Sequence, residues 1–430
     1  MGASTAPGPQ QKRLAAYMDG LAKAAGHADR EQPLKAYCAG LLLPGERKSV
    51  EPMAARLAPD NVRRTHQSLH HLVATAPWSD QALLGKVRES VLPRITRQAA
   101  LAAWIVDDTS FVKKGRHSVG VARQYCGAVG KQENCQVAVS VSVATDEASL
   151  PIAWRLYLPE SWAKDGSRRE ESGVPAEIGF QTKPQIALAQ IRQAVENGVP
   201  AAPVVADSAY GTDTEFRDEL TRLGRLYLVG VRETTTVWRA GEAPQPRGGG
   251  RWRRERPPQP LTVQELALSL PPQAWKSVAW REGTRGKLRS RFAVLRVRAA
   301  HGGKRRSQAR PEEWLLIEWP KGAAEPTHYW LSTLPAKTGL KALVKLAKQR
   351  WVIERDYEEL KQELGLGHYE GRGWRGFHHH ATLCIAAYGF LVLERSLFPP
   401  SAGVGRLELR AARIPAEYQP RGSPGARRTA

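Results

Sequence analysis

The chain has 430 residues, 42% hydrophobic and 25% charged, which are globular values and exclude a disordered or fibrous chain. Lysine and arginine number 64 against 42 acids, a net charge of +22, and a protein this basic usually meets a polyanion, most commonly nucleic acid. The length predicts two or three domains. Cys38, Cys126, Cys135 and Cys384 are scattered without a Cys-x-x-Cys pair, so neither a zinc finger nor a disulfide framework is indicated. "MGASTAPGPQQKR" has no apolar leader and "TLCIAAYGFLVL" is too short to span a bilayer, so a cytoplasmic protein with no membrane partner is expected.

Residues 1–95 read as a helical domain. Ser49 is placed to cap one helix, with Pro52 in its first turn; Pro59 and Asp60 break it. A second helix from Asn61 puts Val62, Leu69, Leu72 and Val73 near one face, leaving Arg63, Arg64, Gln67 and His70 for the other. Ser79 or Asp80 caps a third. Two short helices around a tight turn, the second carrying basic and amide side chains, form the pattern of a helix-turn-helix DNA reader. A small bundle with a solvated basic face has the same pattern.

From about residue 96 to 233 the period changes. "AAWIVDDTSFV" is a buried strand, and "HSVGVARQYCGAVG" and "CQVAVSVSVATD" are two more, joined at "KQEN". "SLPIAWRLYLP" continues in extended form. A helix over "KPQIALAQIRQAV", a strand "APVVADSAYG" ending in Asp207, a helix "TEFRDELTRLG" stopped by Gly224, and a strand "RLYLVGVRE" follow. Residues 234–335 read as a strand-rich insertion. It opens on the Pro/Gly/Arg loop "GEAPQPRGGGRWRRERPPQP", expected to be mobile, and continues through strands in "VAWREG", "SRFAVLRVRAA", "EWLLIEW" and "THYWLSTLP". Helices return over 336–396, and 397–430 has the composition of a disordered tail.

Acids occupy marked places in this order. Asp108 ends the first strand, Asp207 the fourth, and Glu354 lies in the amphipathic helix after the insertion. Carboxylates on separate elements of one sheet can converge at one edge. An all-oxygen anionic site suits Mg2+ or Mn2+ rather than zinc. Two such ions about 4 Å apart clamp an in-line phosphoryl displacement.

"DDTS", "VVADSAYG" and "RWVIERDYEELKQELGLGHYEGR" resemble bacterial insertion-sequence transposases of the insertion-sequence 701 type, in the group with a Tyr-Arg-Glu-Lys signature, from about residue 45 to 390. Arg350, Glu354 and Lys361 fit the signature's spacing; Ala347 stands where its Tyr would fall. The resemblance implies an α/β fold with an RNase H-like mixed-sheet core, interrupted by the β-strand-rich insertion and preceded by the N-terminal helical domain. It implies cut-and-paste transposition: Mg2+-dependent cleavage at terminal inverted repeats and strand transfer to target DNA, by a homodimer on paired ends of double-stranded DNA.

Carried over residue by residue, it implies that Asp108, Asp207 and Glu354 are the catalytic triad holding two ions. Asp108 is preferred to Asp107 because it directly precedes Thr109. Arg350 and Lys361 would contact backbone phosphates, and Trp330 would stack on a base flipped from a hairpin end, with Trp314 and Trp319 as competitors and a buried strand tryptophan as the alternative. Positions 350, 354, 358 and 361 share one helix face, so Glu358 rivals Glu354. Two other readings stay open: an RNase H-like nuclease that cuts without joining, and a transposase-derived DNA-binding protein without catalysis.

His378, His379 and His380 are consecutive, and helical neighbours point about 100° apart, so the three are not read as one metal site. Asp165, Glu170 and Glu171 read as solvated loop acids. No phosphate-binding loop is present, so ATP is not implied.

Overall fold

The computed structural model describes residues 8–242, 259–283, 286–300 and 310–398. Most of the Pro/Gly/Arg loop (243–258) and the tail from 399 lie outside them. Among the described residues twelve strands run in chain order: β1 Ala103–Val112, β2 Ala122–Cys126, β3 Lys131–Ala144, β4 Ser149–Leu156, β5 Val204–Ala206, β6 Tyr227–Val231, β7 Thr236–Arg239, β8 Leu261–Thr262, β9 Lys276–Gly283, β10 Gly286–Ala299, β11 Glu313–Trp319 and β12 His328–Ser332. The fold is mixed α/β with parallel and antiparallel pairing. The chain divides into two compact units. One comprises Met1–Ala100, Asp108–Gln181 and Glu354–Ala430; the other comprises Leu101–Asp107 and Thr182–Ile353.

The first unit is organised on the helix Trp374–Leu397. Its residues from Trp374 to Val392 are buried apart from Arg375, as a helix apolar on every side must be. Helices Glu31–Leu42 and Asp80–Gln98 pack on it. Helix Pro9–Ala24 is tied to it by the Tyr17 hydroxyl on the Ala386 carbonyl and by Arg13 on Glu394. Ser79 caps Asp80–Gln98 by accepting from the Ala82 N–H, as expected. Ser49 occupies the cap position of Val50–Leu57 without making a side-chain cap bond.

β2 and β3 pair antiparallel from Ala122↔Cys135 to Cys126↔Lys131. The hairpin turn is therefore at 127–130, and "KQEN" belongs to β3. These polar side chains lie on an exposed ribbon whose backbone pairs regardless of side-chain polarity, while Gly130, at φ +65°, supplies the turn.

In the second unit β1 pairs parallel with β5 and β5 parallel with β6. β12, β11 and β10 follow in antiparallel succession, and β10 also pairs with β9 and β7. The four strands expected from sequence between 234 and 335 are thus present as β9–β12. β7, β8 and the helix Val263–Leu268, with its Thr262–Glu265 capping box, were not anticipated. Helix Lys183–Glu196 starts in a Thr182–Gln185 capping box and Thr214–Arg222 on the Asp213 cap.

Candidate active site

In the second unit the β1–β5 register runs Trp104↔Val204, Ile105↔Val205, Val106↔Ala206. The next residues of these neighbouring parallel strands are Asp107 and Asp207. Asp107 is 7% exposed, and Arg350 Nη1 donates to its Oδ2 at 2.6 Å. A buried carboxylate is costly without such a partner, and a guanidinium supplies a charge-assisted hydrogen bond.

Asp207 leaves β5 in extended conformation and caps the one-turn helix Ser208–Gly211, its Oδ1 accepting from the Ala209 N–H at 2.9 Å. The turn sits directly on β6. A Cβ on Gly211 would stand 2.0 Å from the Gly230 carbonyl oxygen and 2.7 Å from Val229 Cβ. One on Gly230 would stand 2.9 Å from the Ser208 nitrogen. The glycine of "ADSAYG" and that of "LVGV" are therefore both needed for the close approach that fixes where Asp207 lies.

Trp330, in the middle of β12, is 8% exposed. It stacks on His328 with ring centres 5.6 Å apart, and the Lys348 ammonium lies 5.5 Å from its ring. Trp314 donates to the Pro335 carbonyl, and Trp319 packs edge-on against Trp275.

In the first unit Asp108 is half-buried, followed by buried Thr109 and Ser110. Lys361 Nζ donates to the Ser110 carbonyl at 2.9 Å and lies 5.1 Å from the Phe111 ring; burial lowers its pKa. Glu354 and Glu358 are both exposed on the helix Trp351–Gln362. Sequence reasoning passed over their neighbour Asp356, which is fully buried. It accepts from the Ser149 hydroxyl at 2.6 Å and the Tyr388 hydroxyl at 2.8 Å, and burial pushes its carboxyl up to about 6. Its apolar neighbours on the helix face were legible, its two partners were not. Arg63, Arg64 and Gln67 are exposed on Val62–His70, which packs against Val50–Leu57.

The three histidines take separate partners. His378 faces the Leu156 N–H and the Trp374 carbonyl, His379 the Val73 and Trp78 carbonyls, and His380 the Tyr37 hydroxyl and the Gly365 carbonyl. Among the described residues no three His, Cys, Asp or Glu side chains are gathered to hold a metal ion, and no helix is long and apolar enough to cross a membrane.

The sequence profile of the DDE superfamily endonucleases matches residues 20–287, more than half of the chain. The chain belongs to this family. It is also 30% identical over 193 residues to a probable transposase for insertion sequence element IS701 from Microchaete diplosiphon, across 45% of this chain and 46% of that protein. The chain thus spans about half the length of the curated relative it matches. In this DDE endonuclease the profile match takes in Asp107, Asp108 and Asp207 and ends before Arg350, Glu354 and Lys361. Those three rest on their spacing.

Proposed function

We propose that the chain is a cut-and-paste DNA transposase with an RNase H-like core, in which Asp108, Asp207 and Glu354 hold two divalent ions, Mg2+ or Mn2+. The observation that carries this reading is the parallel β1–β5 register, which sets Asp107, the chain neighbour of Asp108, level with Asp207, in a chain that belongs to the DDE endonucleases. Asp107 is engaged by Arg350, which favours Asp108 as the ligand. The donor set is all carboxylate, which fits hard divalent cations. Such ions, when bound, activate the attacking oxygen and neutralise charge on the leaving one.

The chain's own groups have distinct tasks. The Asp207 cap on a turn pinned by two glycines fixes one ligand. Arg350 and Lys361 add positive charge for the backbone phosphates beside the cleaved bond, and Arg350 also neutralises Asp107. Arg63, Arg64 and Gln67, exposed on the second helix of a short helical pair, read DNA at the element's ends within a domain of residues 1–95. Residues 96–233 and 336–396 form the core around the 234–335 insertion. Two copies work on paired ends, cutting at terminal repeats and joining the ends to target DNA.

The test is cleavage of the element's own flanking DNA. Asp108→Asn, Asp207→Asn and Glu354→Gln each abolish Mg2+-dependent cleavage while end binding persists; Glu358→Gln retains it. Loss with Glu358→Gln and retention with Glu354→Gln would move the third ligand one turn along the helix. Cleavage untouched by all three would leave a DNA-binding protein, and cutting without joining would leave a nuclease.

A further inference from the structure

Lys348 opens the single helical turn Lys348–Arg350, between helix Leu340–Ala347 and helix Trp351–Gln362. Four strands of the insertion meet at its ammonium. It lies 4.8 Å from the ring of Trp280 on β9, 5.8 Å from Phe292 on β10 and 5.5 Å from Trp330 on β12, and it donates to Glu318 Oε2 on β11 at 2.6 Å. Glu318 is 4% exposed and also faces His328 Nδ1 at 3.3 Å. Burial alone would raise its carboxyl; the hydrogen bonds from His328 and Lys348 outweigh that and hold it below the ordinary value. Three residues on, the Arg281 guanidinium of β9 lies 3.8 Å over the Trp351 ring. Arg350, bound to Asp107, sits between these two cation–aromatic contacts in the chain.

We propose that Lys348 is a positioning residue for the reaction: its cage of Trp280, Phe292 and Trp330, closed by Glu318, fixes the turn that presents Arg350 to Asp107 and starts the helix carrying Glu354. The proposal rests on the transposase reading. It gives the insertion a mechanical task and gives Trp330 a partner within the chain. The choice of residue is informative. A site needing only stability is served as well by a hydrophobic side chain of similar volume, because an ion pair must first be desolvated. A cation facing three rings and one carboxylate is attracted to each and settles in one place. Removing the charge while keeping the volume should therefore loosen the turn, and it also lowers stability, because Glu318 is left buried with only His328 beside it.

The experiment compares the full chain with Lys348→Met and Lys348→Arg. Hydrogen exchange is followed in peptides covering residues 348–356, beside single-turnover cleavage at saturating DNA, DNA affinity and melting midpoint. Expected for Lys348→Met, at a temperature where it is folded, are faster exchange and a cleavage rate slower by about 10–100-fold, the scale on which small misplacements act, with affinity nearly unchanged and the midpoint lowered because Glu318 loses its cation. Lys348→Arg, which keeps the cation, restores most of both. Wild-type exchange and rate in Lys348→Met would overturn the proposal, as would faster exchange spread over the whole chain rather than confined to 348–356, or a rate that Lys348→Arg does not restore. If the unaltered chain cleaves no DNA with Mg2+, the transposase reading fails, and the exchange comparison alone decides whether the cage holds the turn.

Discussion

Gly211→Ala tests whether the Asp207 turn is pinned to β6. The added Cβ would lie 2.0 Å from the Gly230 carbonyl oxygen, where real Cβ atoms essentially never come within 3.0 Å. The turn and the strand must therefore separate by about 1 Å or more, and a methyl inserted into a closed contact typically costs about 1–3 kcal/mol. The obstacle is backbone, and Val229 Cβ stands 2.7 Å away on the same side, so no side-chain rotation relieves it. Asp207 caps this same turn and moves with it. Misplacing a reacting group by 1 Å costs about 100-fold in rate. Denaturant unfolding and single-turnover cleavage at a temperature where the variant is folded measure the two effects separately. Gly179→Ala is the control, since its Cβ meets nothing within 4 Å. Unchanged stability would refute the close approach. Lost stability with wild-type cleavage by the folded fraction would refute the dependence of Asp207 on it.

Two further outcomes are expected. His379, stacked on Trp78 at 3.6 Å between ring centres, is lowered by burial to about 4 from 6.5. The folded state thus resists the proton that the unfolded chain accepts, and stability is fully present above pH 6.5 and lost as pH falls toward 4. The loss is on the order of 3 kcal/mol, and His379→Gln should flatten that part of the unfolding profile; an unaltered profile would exclude His379 as its source. Arg63→Ala and Arg64→Ala should each weaken end binding and reduce the salt slope by about 1; an unchanged slope would remove that arginine from the phosphate contacts.

Periodicity at three to four residues made the helices legible, while β1 and β5 were legible as continuous apolar runs. The hairpin was misplaced onto "KQEN" because polar side chains on an exposed ribbon look like a loop. The short β7 and β8 offer too few residues for a period. At the site, Asp107, Asp108 and Asp207 were visible as acids beside apolar runs; Asp108 was expected to end its strand, but β1 continues to Val112 because Thr109, Ser110 and Phe111 are buried too, and Asp207 follows the fifth strand rather than the fourth. The pairing of Asp107 with Arg350, 243 residues apart, was not. Nor was the Lys348 cage, since residues 280, 292, 318, 330 and 348 meet only once the insertion strands are in register. Asp356 was hidden for the same reason: Ser149 and Tyr388 lie far from it in the chain.

The helix Trp374–Leu397 also sets an order of events during synthesis. The first unit takes Met1–Ala100 and Asp108–Gln181, and the residues up to Ala100 wait for those from Glu354 onward. At ~5–20 residues per second, the roughly 250 residues between them take on the order of tens of seconds to make. Throughout that interval the N-terminal helices lack the surface on which Tyr17, Tyr37 and Arg13 dock. A chain that stops short of this helix leaves those N-terminal helices without these partners. Only a chain translated through its last buried helix brings together the parts of the first unit.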